Sequence, residues 1–245
     1  HGAEWRGKKV GSIGNMGCFS FQASKNITCG EGGIIITDDE DLAKKCYSYH
    51  HIGRGQGRPF YEHEVLGWNY RMSEFQGALL LAQFERFEEQ FEKREKNANY
   101  LTKKLGEIQG IELPKDDPRV RRAYYIYIFK YKENQFAGGG ISKEKFIKAL
   151  RAEGIPCNSI ATIPLYKNPL FIEKNFVSKD SELFRFYYEK VDYTKIKCEE
   201  AERLYKEGIW FFHSLLLGEK EDMDDIIEAI NKIEKNKKEL EDVKD

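Results

Sequence analysis

Lys25 stands between two short apolar runs, residues 18–21 and 34–36. Around it lie Ser20, Ser24 and Thr28, followed by a glycine cluster at Gly30, Gly32 and Gly33. Two buried strands joined by a tight, polar, glycine-bearing connection hold an amine in a partly desolvated place. Burial disfavours the ammonium form, and the neutral amine is the one that attacks a carbonyl carbon, which is Schiff-base chemistry. The competing reading is a solvated lysine in a hairpin loop, the common situation for a residue type that is seldom buried. A solvent loop does not need Ser20 on an apolar strand just upstream, with Asn26 and Thr28 just after the lysine. The Gly-Glu-Gly-Gly run at 30–33 also serves as a turn without steric cost. No Gly-x-x-x-x-Gly-Lys-Ser/Thr pattern is present, so this is not a phosphate loop of that type.

Three blocks carry a family resemblance: Gly-Lys-Lys-Val-Gly-Ser-Ile-Gly at 7–14, Phe-Ser-Phe-Gln-Ala-Ser-Lys-Asn-Ile-Thr-x-Gly-Glu-Gly-Gly at 19–33, and Gly-Trp-Asn-Tyr-Arg-Met-Ser-Glu-Phe-Gln at 67–76. In order and spacing they resemble the DegT/DnrJ/EryC1/StrS family of pyridoxal-phosphate sugar aminotransferases, and the resemblance runs on to about residue 233. It implies an α/β protein of fold type I, with residues 1–105 as the C-terminal part of the large domain and 106–245 as a smaller C-terminal domain. Lys25 matches the family's internal-aldimine lysine, Ser20 the serine that holds the cofactor phosphate, and Asn69 the asparagine offered to the cofactor of a neighbouring subunit. Arg71 lies in the same block and is a substrate-side candidate. Gln22 stands where relatives carry His, Ser or Gln. Tyr166 lies in a Pro-Leu-Tyr-Lys-Asn-Pro segment that approaches substrate in relatives.

The same resemblance implies a homodimer in sugar or polysaccharide biosynthesis, and the scattered cysteines imply a reducing cytoplasm. The amino donor is glutamate or glutamine, and the acceptor is a nucleotide-linked keto-sugar or a keto-cyclitol. The Phe-Gln pair at 21–22 and the segment 214–223 lean toward the cyclitol and aminohydroxybenzoate branch. In the family, an Asp-x-Ala-Gln/His-Ala segment immediately precedes the point where His1 falls. Its Asp partners the cofactor's pyridine nitrogen, so that the ring can act as electron sink. The expectation is therefore a longer enzyme, inactive if reduced to these 245 residues. Two other outcomes remain: a sugar dehydratase of the same fold, in which histidine replaces the lysine, and a non-catalytic regulatory or binding remnant.

The elements that must position these residues are legible as patterns. Residues 17–21 and 32–38 read as strands, the second apolar enough to be covered on both faces. Acidic residues at 38–40 open a helix to about His50. Ser73-Glu74-Phe75-Gln76 is a capping-box start, and the helix it opens is expected to run unbroken to about Leu105. Phe75, Phe84, Phe87 and Phe91 are read as core packing along it. After a junction at 106–119 come a strand at 124–131, a helix from Ser142 to Glu153 stopped by Gly154, a strand start at 155–159, a helix at 198–207, a strand at 209–213 and an amphipathic helix with Met223, Ile226, Ile227, Ile230 and Ile233 on one face. The segment 167–193 carries no assigned structure.

Composition excludes several classes. Forty Lys and Arg against 41 Asp and Glu give a formal net charge of −1, which offers no electrostatic case for nucleic acid or a membrane surface. The five cysteines are odd in number and scattered, which argues against a disulfide framework and for a reducing compartment. No metal is expected: His50, His51 and His63 lack convergent acidic or thiol partners at metal spacing. Arg54 and Arg58 suit an anion or a solvated loop equally well. His213, at a strand end, is either a site-lining residue or a core histidine.

Overall fold

The computed structural model describes residues 1–160, 163–175, 182 and 189–241. The chain divides into two compact units: His1–Ala98 with Lys115–Tyr125, and Asn99–Pro114 with Ile126–Asp245. All strand pairs among the described residues are antiparallel.

In the first unit the strands Gly17–Ser20 and Gly33–Ile36 pair in the register Cys18 to Ile35 and Ser20 to Gly33. Gly17 is required there, since a Cβ at that position would lie 2.2 Å from the Gly11 carbonyl oxygen. The second strand departs from the expectation of a doubly covered sheet. Ile34, Ile35 and Ile36 are 47%, 49% and 39% exposed. The pair is two-stranded, so among the described residues no further strand extends it. A second small sheet joins Glu4–Trp5, Lys8–Lys9 and Val120–Arg121.

The helix Glu40–His50 is capped by Asp39, whose carboxylate accepts the N–H groups of Asp41 and Leu42. The helix Glu74–Phe84 carries the capping box of Ser73 and Gln76 in full. The expected single helix is two, Glu74–Phe84 and Phe87–Leu105. At the break Arg86 N–H turns to the Gln83 carbonyl at 3.2 Å, a tightened i to i−3 bond. The phenylalanines also divide. Phe91 is buried, but Phe75 and Phe84 are 90% and 62% exposed. The helix Glu74–Phe84 carries apolar residues around most of its circumference and none is fully buried; Leu80 packs against the cluster of Phe21, Ile27 and Cys29. Arg94, on the second helix, is 1% exposed.

In the second unit a four-stranded sheet runs in the order Ile111–Glu112, Ile126–Tyr131, Gly208–Phe212, Asn158–Ser159. Tyr127, Phe129 and Tyr131 alternate inward along the central strand. Tyr131 stacks on Phe146 of the helix Lys143–Ala152 at 4.5 Å between ring centroids, and its hydroxyl donates to the Ile141 carbonyl at 3.0 Å. Gly154 ends that helix with φ +88°, a left-handed stop. The helix Lys220–Lys235 buries Met223, Ile226, Ala229, Ile230 and Ile233. The segment read as irregular contains the short helix Pro169–Ile172; residues 176–181 and 183–188 lie outside the described residues.

Candidate active site

The connection between the two strands is not a solvent hairpin. Phe21, Ile27 and Cys29 are buried, with Met72, Leu80 and Phe87 packed against them. The loop closes on itself through Phe21 N–H to Gly32 O at 2.8 Å and Cys29 N–H to Phe21 O at 3.0 Å. Two glutamines of the helix Glu74–Phe84, two turns apart and hence on one face, hold it from outside. Gln76 donates to the Glu31 carbonyl at 2.7 Å. Gln83 accepts the Thr28 N–H at 3.0 Å and donates to the Thr28 carbonyl, as a neighbouring strand would. Asn26 is 9% exposed and donates to the Ala123 carbonyl at 2.9 Å.

Lys25 projects from this clamped loop and is half-buried. Its Nζ lies over the ring of Tyr125, 4.0 Å from the centroid. Ser20, at the end of its strand, is exposed; its Oγ accepts the Gln22 N–H at 3.3 Å. Gln22 accepts both the Ser24 N–H at 2.9 Å and the Ser24 hydroxyl at 2.7 Å. Ser24 Oγ and the Tyr125 hydroxyl are 2.8 Å apart. Ser20, Gln22, Ser24, Tyr125 and Lys25 thus form one connected set. The Ser24 hydroxyl first, and Lys25 after it, lower the Tyr125 phenol's pKa against the opposing effect of burial. Tyr125 and Gln83 carry no local sequence signature. They lie about a hundred and about sixty residues from Lys25, and only the fold brings them in.

Asn69 and Arg71 are held by a second loop. The backbone from Trp68 to Tyr70 pairs with the end of the helix Glu40–His50 through Trp68 N–H to Tyr49 O at 2.7 Å and Tyr70 N–H to His50 O at 3.0 Å. His51 and Asn69 form an isolated bridge. Arg71 Nε donates to Asn69 Oδ1 at 3.0 Å. Gly53 lets the chain pass, since a Cβ there would lie 1.8 Å from the Val65 oxygen. Its neighbour Ile52 sits at φ +63°. For a β-branched residue this costs on the order of 1–3 kcal/mol, and such strain gathers at functional loops. Burial first, then the charges of Arg71 and Arg54, lower the pKa of His51.

The other candidates have structural partners. Tyr166, in the second unit, donates to Glu202 and accepts the Cys198 N–H at 3.2 Å. Burial first, and Glu202 after it, raise its pKa. His213 is half-buried, beside the Phe212 ring at 6.5 Å. Arg58 pairs with Glu64 at 2.8 Å, and the Arg54 guanidinium lies 3.9 Å from the Phe60 ring centroid. His50 and His63 each use Nδ1 on a backbone carbonyl, of Tyr47 and Ile52. Among the described residues there is no His, Cys, Asp and Glu group able to hold a metal, and no helix long and apolar enough to cross a membrane.

The chain is similar to several known proteins. "Putative L-glutamine:3-amino-2,3-dideoxy-scyllo-inosose aminotransferase" of Streptoalloteichus tenebrarius is 37% identical over 242 residues, 96% of this chain and 57% of the relative. "L-glutamine:scyllo-inosose aminotransferase" of Streptomyces griseus is 33% identical over 254 residues, 98% of this chain and 58% of the relative. The crystal structure of 3-amino-5-hydroxybenzoic acid synthase superposes with a TM-score of 0.76 at 26% identity, over 95% of this chain and 57% of that one. The chain therefore spans a little over half the length of the proteins it matches. The profile of the DegT/DnrJ/EryC1/StrS aminotransferase family matches residues 1–231. The chain belongs to the DegT/DnrJ/EryC1/StrS aminotransferase family.

Proposed function

We propose that the complete protein is a pyridoxal-phosphate aminotransferase that moves an amino group from L-glutamine to a keto-cyclitol, with Lys25 as the cofactor-binding lysine. One observation carries this reading: the Lys25 amine is presented from a clamped, half-buried loop, and its neighbour Tyr125 is tied back to Ser20 through Ser24 and Gln22. The relatives' names favour glutamine over glutamate as donor and a cyclitol over a nucleotide sugar as acceptor.

The donor set fits the cofactor's aldehyde and phosphate ends. Lys25 offers a primary amine. Ser20 Oγ accepts from Gln22 N–H, which leaves its own proton for a phosphate oxygen. When bound, pyridoxal phosphate supplies an aldehyde for amine capture and a conjugated ring that takes up negative charge. Lys25 would hold it through its amine and, when that amine is free, would take the proton from the donor's α-carbon. Arg71, Tyr166 and His213 are the substrate-side candidates.

Asn69 serves a second copy of this chain in the same reading. It leads into the helix Glu74–Phe84, none of whose residues is buried, after a run in which Leu66, Trp68 and Tyr70 are 86%, 51% and 71% exposed. A contiguous apolar surface of this kind marks an interaction face, and a twofold pair would place each Asn69 loop at its partner's site. Sedimentation equilibrium of the complete protein is expected to give a dimer that Leu81→Glu converts to monomer; an active wild-type monomer removes Asn69 from the site. The chemical assignment is tested by incubating the complete protein with pyridoxal phosphate, reducing with borohydride and mapping peptides by mass. The adduct is expected on Lys25, and an adduct confined to other lysines overturns the assignment.

A further inference from the structure

The segment Lys115–Tyr125 leaves the sequence neighbourhood of the lysine loop by about ninety residues, yet belongs to the same compact unit. It meets that loop at consecutive positions. Asn26 donates to the Ala123 carbonyl at 2.9 Å. Ser24 Oγ lies 2.8 Å from the Tyr125 hydroxyl. Lys25 Nζ lies 4.0 Å from the Tyr125 ring centroid. Between these contacts, Tyr124 adopts φ +47°. A bulky aromatic residue in the left-handed region is held there against its preference, and the turn it makes delivers the next ring to the lysine.

We propose that Tyr125 is a positioning residue for the Lys25 amine, its ring face seating the nitrogen and its hydroxyl, fixed by Ser24, setting the ring's direction. The electron-rich face attracts an ammonium, most strongly where water is partly excluded. A lysine side chain has four rotatable bonds, and its amine wanders unless something holds it. The Tyr125 hydroxyl interacts with the Lys25 amine as well, so both parts of the tyrosine side chain hold the nitrogen. Ser24 is held in turn by Gln22 through two hydrogen bonds, so the ring's orientation is set by the same loop that carries the lysine. The positioning role in transamination rests on the aminotransferase reading above; the contact between ring and amine does not.

Competitive acylation of the complete protein, stripped of cofactor and assayed from neutral to alkaline pH, reads the seat directly. The yield on the Lys25 peptide, relative to the protein's other lysines, gives the pH of half-maximal labelling. A ring that favours the ammonium holds labelling back. Tyr125→Leu is expected to move the half-maximal pH down, so that Lys25 labels about threefold faster below it. Tyr125→Phe keeps a ring but loses the Ser24 tether that fixes it, and is expected to label between wild type and Tyr125→Leu. A merely structural role would raise the labelling ceiling in both variants and leave the pH unmoved. An unmoved or upward-shifted half-maximal pH in Tyr125→Leu, or equal shifts in both variants, overturns the proposal. Either result is independent of borohydride mapping, which alone decides whether Lys25 takes the cofactor.

Discussion

On the proposed reading, Lys25→Ala in the complete protein is expected to lower transamination by at least about a thousandfold, the scale expected when the proton carrier at the reacting carbon is removed, and to abolish the borohydride-stable adduct. Removing the lysine costs only its contacts with Tyr125, the ring face and the hydroxyl. The loop is held instead by Asn26, Thr28 and Glu31 through backbone and amide contacts. The loss is therefore chemical rather than structural, and thermal unfolding of the variant should track the wild type. Lys25→Arg is the informative companion. It keeps a cation for the Tyr125 face but cannot form the imine, so it should be as inactive as alanine. Added small primary amines should restore part of the rate to Lys25→Ala, because they replace a proton carrier. A variant retaining more than a tenth of wild-type turnover would remove Lys25 from the chemistry.

Arg94→Met should stabilise this 245-residue chain by about 1–4 kcal/mol, read as a shift in the urea midpoint at unchanged slope. The guanidinium is 1% exposed, and Nε, Nη1 and Nη2 meet no hydrogen-bond partner among the described residues. Burial alone lowers its pKa from the ordinary guanidinium range to about 10. That difference corresponds to about 3 kcal/mol against the charged form at neutral pH. The folded pKa of this base lies below its unfolded value. From about pH 10 upward, to the ordinary guanidinium range, the unfolded chain holds more protons, so stability rises with pH there, while below pH 10 the penalty is present in full. Methionine fills much of the same volume with no charge to bury. If the substitution destabilises the chain instead, a carboxylate reaches Arg94 and the desolvation argument is wrong.

Legibility followed the range of each signal. Caps were readable because they are written within four residues: Asp39, Ser73 and Ser142 each cap the helix they precede. The lysine loop stood out because its residue types clash with those of an ordinary turn. Tyr125 and Gln83 were not readable, since a side chain that arrives from another part of the chain leaves no trace beside the residue it serves. Nothing in the sequence marks the break at Glu85 and Arg86, because neither residue is a helix breaker; it coincides with Gln83 being committed to Thr28. Phe75 and Phe84 mark the limit of periodicity. Spacing shows that a face is apolar, not which surface covers it.

Gln76 and Gln83 give the helix Glu74–Phe84 a double duty. Its glutamine edge grips the backbone of Thr28 and Glu31, while Phe75, Leu81 and Phe84 stand open to whatever docks. A roll of this cylinder by a few degrees on complex formation would tug the lysine's tether. If two copies pair through this face as proposed, reactivity at the amine and assembly are mechanically geared, and dilution below the dissociation constant should slow turnover even with every reacting group intact.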